Sequence, residues 1–545
     1  MPLNRYWLFL LVLSAACGFG LLAWQGNSWA LWPAVIAAAF TVLGIADLSQ
    51  RHSALRRNYP LLAHGRFLIE AIRPELRQYL FESDTEKAPF SRQQRSIVYQ
   101  RAKQELDKRP FGTQGDVYAE RYEWINHSLQ PAPPATEPFR IRIGGARCTQ
   151  PYEAAVLNIS AMSFGALSAN AIRALNLGAK KGGFYHDTGE GSISRYHLEH
   201  GGDLVWEIGS GYFGCRTADG GFDPERFRAN AALPSVKMIE VKLSQGAKPG
   251  QGGILPGAKV TPEIAEARGV PVGVDCLSPA AHSAFDSPLG LLQFVQRLRE
   301  LSGGKPVGFK LAVGHVWEWF AIAKAMQESG LLPDFIVVDG GEGGTGAAPL
   351  EFTDHVGMPL REALMLVHQT LVGLDLRGQI KIGAAGKIIT GFDMARVLAL
   401  GADWCNAARG FMFAVGCIQS QNCHTGRCPT GVATQDSGRQ RGLDPGDKSE
   451  RVYHFQKNTV KALAEILAAA GLRHPDELGP EHIIRRIDPE TVLPLSRVYA
   501  QLRPGELLQG GEPEHASLRQ YWREARSDSF APPASLLNLR RSKSL

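Results

Sequence analysis

The sequence predicts an α/β protein whose body is a (β/α)8 TIM barrel, with an N-terminal transmembrane helical hairpin and helical flanking segments. Short apolar, β-rich runs alternate with helical stretches over about 270 residues, the size of an eightfold barrel. No G-x-G-x-x-G opens the first β-α unit, which weighs against the alternative, an open doubly wound sheet. The extreme N-terminus holds two apolar runs of about membrane-spanning length.

At 545 residues the chain is too long for one ordinary core, so two or more units are expected. Hydrophobic residues make up 44% of it and glycine is abundant, which indicates a globular fold rather than disorder. The net charge of +6 is mild and dispersed, without a basic stripe interleaved with aromatics, so no nucleic-acid partner is expected. Cys17, Cys148, Cys215, Cys276 and Cys405 stand singly, which argues against a disulfide framework and fits a reducing compartment.

The first run is Tyr6–Trp24 and the second Trp29–Ala46, joined by the polar break Gln25-Gly26-Asn27-Ser28. Trp24, Trp29 and Trp32 lie near the turn, as interfacial aromatics do. Arg5 precedes the pair and Arg51, Arg56 and Arg57 follow it, so the positive-inside rule puts both ends in the cytoplasm. The hairpin (1–50) would then anchor the chain in the inner (cytoplasmic) membrane, with the catalytic part facing the cytoplasm. The alternative is a cleaved signal peptide, which the second apolar run disfavours.

Residues 51–135 are polar and rich in Arg and Glu, with helical stretches at Arg66–Leu80 and Ser91–Lys108, and are predicted to be a cytosolic helical connector. A proline-rich boundary spans Pro131–Pro138. The barrel is assigned to 136–440. Its predicted strands are Ala155–Ser160, Gly183–Asp187, Met238–Leu243, Val272–Leu277, Val307–Ala312, Phe335–Asp339, Ile380–Gly383 and Trp404–Ala408. Intervening helices are predicted at Ala169–Lys180, Pro262–Ala267, Pro288–Leu301, Trp317–Glu328, Leu360–Leu374 and Gly391–Leu400. Residues 441–545 carry an amphipathic helix at Tyr453–Ala470 and a ragged tail ending Arg540-Arg541-Ser542-Lys543.

In such a barrel the site lies at the C-terminal ends of the strands. Small residues follow the first run, at Ser160–Ser168, and let backbone approach a flat ring. Glycine-rich turns follow the sixth (Asp339–Pro349), the seventh (Gly383–Lys387) and, with Arg409, the eighth. Free backbone N–H groups with a cation after the seventh and eighth strands make the usual barrel phosphate site, so a phosphate-bearing cofactor is expected. Lys310 ends the fifth run among apolar neighbours and should face inward, either beside the pyrimidine edge of a flavin or paired with a carboxylate for packing. Lys242, Gln245 and Lys248 supply two cations and an amide within seven residues, which suits an anionic substrate, above all a dicarboxylate; the alternative is a solvated loop. Glu190, after the second run, is placed to meet an ammonium or imine, or to cap a turn.

Cys417-x5-Cys423-x4-Cys428, closed by Pro429, sets three thiols within twelve residues. An iron–sulfur cluster takes such ligands, and three without a fourth favour a three-iron form; a zinc site completed by His424 and a disulfide are the alternatives.

Together these motifs resemble the FMN-binding central domain of the glutamate synthases. The matching stretches are ISAMSFGALS (159–168), DTGEG (187–191), EVKLSQGAKPGQGGILPGAKV (240–260), GGTGAAP (343–349) and CIQSQNCHTGRCPTGVATQ (417–435). The resemblance covers roughly residues 140–440. It implies FMN contacts from Met162, Ser163, Lys310, Gly341, Gly344, Gly386 and Arg409, and a 3Fe-4S cluster on Cys417, Cys423 and Cys428. It also implies binding of 2-oxoglutarate by Lys242, Gln245 and Lys248 with Glu190 nearby, and reduction of its imine with ammonia to glutamate. Two departures shape the expectation. There is no room for the family's glutaminase domain, so ammonia, another amine or a partner amidotransferase is expected to supply nitrogen. No NAD(P)H-binding module is visible, so a ferredoxin or separate reductase is expected to supply electrons, a flavin being able to link one- and two-electron transfer. An N-alkylglutamate synthase-type subunit and a membrane-tethered flavin/Fe-S electron-transfer protein are the alternatives.

Overall fold

Eight short parallel strands close on themselves in the computed structural model, which describes residues 5–84, 89–513 and 516–537. They are β1 (Leu157–Ile159), β2 (His186–Asp187), β3 (Leu204–Ile208), β4 (Val236–Lys242), β5 (Val307–Leu311), β6 (Phe335–Asp339), β7 (Lys381–Ala385) and β8 (Trp404–Ala407). Closure is made by β8 pairing with β1, Cys405 opposite Leu157 and Ala407 opposite Ile159. Every residue of β3 and β5 is buried, as expected of parallel strands covered by helices on one side and by the barrel interior on the other.

The barrel has the predicted number of strands, but one member differs. Val272–Leu277, predicted as a strand, contributes only Cys276–Leu277, antiparallel to Ile254–Leu255 in a hairpin outside the barrel. Val272 and Val274 are exposed there, so their β-branched alternation is not backed by burial. The third strand is instead Leu204–Ile208, whose apolar run is interrupted by Glu207. The predicted helices fall within a few residues of those observed: Pro288–Leu301 matches end to end, held by Ser287 capping Gly290 and by Pro at the first helical position.

Outside the barrel, Pro445–Ala469 is the predicted amphipathic helix begun eight residues earlier, where Asp444 caps Asp447. It lies against Ala169–Gly182 and Arg92–Lys103. A three-stranded sheet of Glu123–Ile125, Ile483–Arg486 and Val492–Pro494 brings the connector to the barrel. Its buried Glu123 is paired with Arg361, Arg396 and Arg485 at 2.7, 3.2 and 2.8 Å.

The chain forms two compact units, Met1–Glu86 and Lys87–Leu545. In the first, Trp7–Trp24 and Ser28–Ser49 are long and apolar enough to cross a membrane. The helix Leu62–Leu76, continued by a wider turn at Arg77–Phe81, follows them. The predicted basic end of the tail, Arg540–Lys543, lies outside the described residues.

At the closed end of the barrel Asp334 is a hub. It accepts from Arg299 Nε at 2.9 Å and from the Val307 N–H at 2.9 Å, both out of solvent, and from the half-buried Gly145 N–H at 2.7 Å. Removing one member of a buried pair strands the other's charge. Asp334→Ala is therefore expected to lower the unfolding free energy of the barrel unit by about 3–5 kcal/mol in denaturant titrations; a loss under about 1 kcal/mol contradicts the hub.

Candidate active site at the strand ends

Lys310 on β5 faces the barrel interior as predicted, and it is paired. Its ammonium meets Glu207 of β3 in a short contact and Glu240 of β4 at 3.2 Å, with all three side chains essentially out of solvent. Asp187 of β2 adds a third carboxylate; the Asp187, Glu207 and Glu240 ligand atoms lie within 4.8 Å of one another. Burial opposes the ammonium, but Glu207 and Glu240 hold its pKa well above the ordinary value. The carboxylates outnumber the cation. Burial, then Glu240 and Glu207, push Asp187 well up, and burial with Glu207 pushes Glu240 up to about 7 against the pull of Lys310. Glu207 was not singled out from sequence, although a lone carboxylate inside a five-residue apolar run is a usable signal.

The substrate residues predicted after β2 and β4 do meet. Lys242 Nζ is 3.1 Å from Glu190 Oε1, with 10% and 17% of the two side chains exposed. Burial disfavours the Glu190 carboxylate, but Lys242, with Arg268 and Lys248, keeps its pKa below the usual range. Lys248 donates to the Gly252 carbonyl at 3.2 Å, and burial lowers its pKa. Gln245 is half-buried on the same loop. Burial brings His282 down to about 4, so it is neutral; its Nε2–H donates to the Lys242 carbonyl at 2.8 Å and fixes the loop where it leaves β4. The loop is also braced on β6: the Gly246 N–H donates to Asp339 at 2.9 Å, and a Cβ at Gly246 would lie 1.8 Å from the Gly340 carbonyl oxygen, so only glycine fits.

The residues predicted to cradle a cofactor ring the same end. Met162 and Ser163 form the tight turn after β1, pressed against Gly189, where a Cβ would come within 2.6 Å of the Ser163 nitrogen. Gly341 donates its N–H to Met358 at 2.8 Å. Gly386 sits beside Leu360 and Glu342, and a Cβ at Gly344 would lie 3.5 Å from Arg409 Nε. Arg409 begins the helix Arg409–Ala414 and donates to Met412 Sδ at 3.2 Å. Lys387, the cation of the β7 turn, is turned outward over the Phe90 ring, 5.7 Å from its centre.

Cys417 and Cys428 are buried, Cys423 half-buried, and all three are free thiols. The loop is held from outside: Tyr99 OH donates to the Cys417 carbonyl at 2.7 Å, Gln419 Nε2 to Phe90 O at 3.2 Å, and Lys259 Nζ to the Cys423 carbonyl at 2.7 Å. Lys259 stands inside the tract quoted from sequence, yet its reach to this loop could not be read there. Donors also face the sulfurs, the Gln419 N–H toward Cys417 and the Thr430 hydroxyl toward Cys428, each at 3.5 Å. Burial pushes the Cys417 thiol up to about 11; burial also works on Cys428, but the Ala433 N–H and Thr430 outweigh it and bring that thiol down. A single tetrahedral zinc would hold its sulfurs about 3.8 Å apart. Among the described residues the three cysteine sulfurs do not lie within 4.8 Å of one another. His424 is exposed, beside half-buried Cys423. A Cβ at Gly346 would lie 3.6 Å from Cys423 Cβ, so the β6 turn passes close to the cysteine loop.

Residues 143–473 match the conserved region in glutamate synthase. The glutamate synthase large subunit-like protein YerD of Bacillus subtilis is 36% identical over 509 residues, covering 86% of this chain and 96% of YerD. The archaeal NADPH glutamate synthase of Methanocaldococcus jannaschii is 37% identical over 321 residues, covering 59% of this chain and 60% of that protein. This chain thus matches only about three fifths of the archaeal relative's length. A solved flavocytochrome b2 with pyruvate bound aligns at TM-score 0.42 and 12% identity over 88% of this chain and 97% of that one, too distant to bear on function. The fold and these matches define a barrel oxidoreductase acting on CH–NH2 groups. The chain belongs to the FMN-binding glutamate synthase family.

The proton held among Asp187, Glu207, Glu240 and Lys310 has a measurable consequence. Glu240 keeps a proton in the folded state up to about pH 7 that the unfolded chain releases near 4.5. Its contribution to stability is full below about 4.5 and is lost as pH rises to about 7. The barrel's unfolding free energy is expected to carry a component that declines over that window, by up to about 3 kcal/mol. Glu240→Gln should flatten it in denaturant titrations at each pH; an unchanged slope places the proton elsewhere.

Proposed function

We propose that this chain reduces the imine of 2-oxoglutarate, or of a related 2-oxo acid, to an amino acid at the barrel mouth, with FMN on the strand-end turns and a 3Fe-4S cluster on Cys417, Cys423 and Cys428. The observation that supports it most is convergence: the Lys242–Glu190 pair, the approach of Gly344 to Arg409 and that of Gly346 to Cys423 all lie at one end of one barrel. When bound, the flavin supplies hydride and the cluster supplies single electrons.

The chain's own residues do the rest. Lys242 and Lys248, with the Gln245 amide, hold the substrate carboxylates by charge-assisted contacts. Glu190, kept ionised by Lys242, steadies the ammonium or iminium nitrogen. The turns at Met162-Ser163, Gly341, Gly344 and Gly386 offer close backbone approach to the cofactor, and Arg409 offers its phosphate a cation. Lys310, held between Glu207 and Glu240, would offer its ammonium to the pyrimidine edge of the flavin. Ammonia or an amine arrives from outside or from a partner amidotransferase, and electrons from a ferredoxin or a separate reductase. The hairpin tethers the protein to the inner membrane, with the barrel in the cytoplasm.

Anaerobically reduced protein given 2-oxoglutarate and ammonium is expected to release glutamate, and Lys248→Met to lower kcat/KM by roughly tenfold or more. Absence of product with every 2-oxo acid and amine tried removes the function. Purified protein should carry about one FMN and three irons per chain, and Cys423→Ser should lose the iron and its visible absorbance. Full iron content in that variant rejects the ligand assignment.

A further inference from the structure

The segment between the hairpin and residue 84 is the part of the molecule that the function leaves unexplained. Leu62, Leu68, Ile69, Ile72, Tyr79 and Leu80 are each between 43% and 68% exposed. At 100° per residue the four on the α-helix, Leu62, Leu68, Ile69 and Ile72, fall in one arc of about 120°; Tyr79 and Leu80, with Phe81 at 76% exposure, lie on the wider turn that continues it. Soluble proteins rarely leave so long an apolar stripe in water. Arg66, Arg73 and Arg77 follow one another along the flank of that arc, with Arg66 sharing its charge with Glu70 at 3.0 Å. Five charged residues between positions 66 and 77 rule this helix out as a third membrane span.

Its start is fixed to the hairpin. Asp47, buried near the end of the helix Leu31–Ser49, accepts from the Leu61 N–H at 3.1 Å and from His64 Nε2 at 2.9 Å. Leu61 has a positive φ (65°) with ψ −49°, a γ-turn closed by the Leu62 N–H donating to the Pro60 carbonyl at 2.8 Å, which turns the chain sharply into the helix. The amphipathic helix therefore begins where the second apolar helix ends, at the depth a bilayer would give to its headgroups.

We propose that residues 62–81 form an interfacial helix lying in the plane of an anionic lipid surface, its apolar stripe among the acyl chains and its arginine flank on the phosphates. The proposal rests on the hairpin being membrane-embedded. Continuity with the two membrane-length helices and the match between an arginine row and lipid phosphates select this occupant over a second protein.

The test uses the full-length chain in vesicles of phosphatidylcholine with about a third phosphatidylglycerol. A photo-crosslinking amino acid is placed in turn at Leu11, Ile69, Ile72, Leu80 and, on the opposite helix face, Ala71. Lipid adducts are expected at Leu11, Ile69, Ile72 and Leu80, and few at Ala71. Adducts at Leu11 without any at Ile69, Ile72 and Leu80 overturn the proposal while leaving the hairpin in the membrane. No lipid adduct even at Leu11 removes the membrane reading beneath it. Adducts from Ile69 to protein, whether this chain's barrel or a second copy, or equal lipid labelling at Ala71, also overturn it. Arg66→Gln with Arg73→Gln is expected to cut the Ile69 yield several-fold in the anionic vesicles and to leave it unchanged in phosphatidylcholine alone; equal yields in both overturn the anionic preference.

Discussion

A single buried ammonium organises the barrel interior. Lys310 lies between Glu207 and Glu240, so strands β3, β4 and β5 are joined by charge as well as by backbone hydrogen bonds. Removing ions from water is costly, and a pair returns that cost only when its geometry is good. Here the geometry is good but the charges do not balance, because Asp187 adds a further carboxylate and has its pKa raised. The interior settles this by keeping protons. The same strand then carries the imbalance outward. On β4 the side chains repeat every two residues, so Glu240 and Lys242 share a face, the first facing Lys310 and the second reaching Glu190 at the rim. Lys310 and Lys242 are register partners on adjacent strands, and the carboxylates interleaved with them separate two cations that would otherwise repel.

The mouth of the barrel is built as a linked set of loops. The β4 excursion is tied to β6 through Gly246 and Asp339, and it reaches the cysteine loop through Lys259 and the Cys423 carbonyl. The β6 turn passes Arg409 at Gly344 and Cys423 at Gly346, each near enough that an added Cβ would make contact. A displacement of the tract that carries Lys242 and Lys248 would therefore be felt at Cys423 by two routes. Mechanical continuity of this kind ties the Lys242–Lys248 tract to the cysteine loop through the same few turns.

How much of this was legible in the sequence follows from where each determinant lies. The cysteine loop and the lysine tract are local, their residues within a dozen positions, and they were readable. Strands made of uninterrupted β-branched residues, such as Phe335–Asp339, were readable too. Leu204–Ile208 was not, because Glu207 broke its apolar run; what makes Glu207 tolerable there is Lys310, 103 residues away, and only closure of the barrel brings them together. Val272–Leu277 failed in the opposite sense: its pattern suits a strand, but it sits on an excursion with no layer to bury Val272 and Val274. The helix in 62–81 was legible, as Arg66–Leu80, but its apolar stripe was not: the connector 51–135 reads as polar taken whole, and the apolar residues show their alignment only once the helical period is applied.

Asp47 extends the rule that governs Lys310 to the first compact unit. A carboxylate within an apolar helix is unfavourable unless it is partnered, and Asp47 is partnered by the Leu61 N–H and the His64 ring. In the barrel such a pairing fixes the strand that carries Lys242. In the N-terminal unit it fixes the corner at which the chain leaves the hairpin. The amphipathic direction of 62–81 is then not free to rotate about a loose linker, because its first turn is hydrogen-bonded to the end of the preceding helix. A flexible connector would have made the apolar stripe a liability for aggregation; a fixed corner gives it one surface to face, which is why the stripe and the buried aspartate belong to the same piece of design.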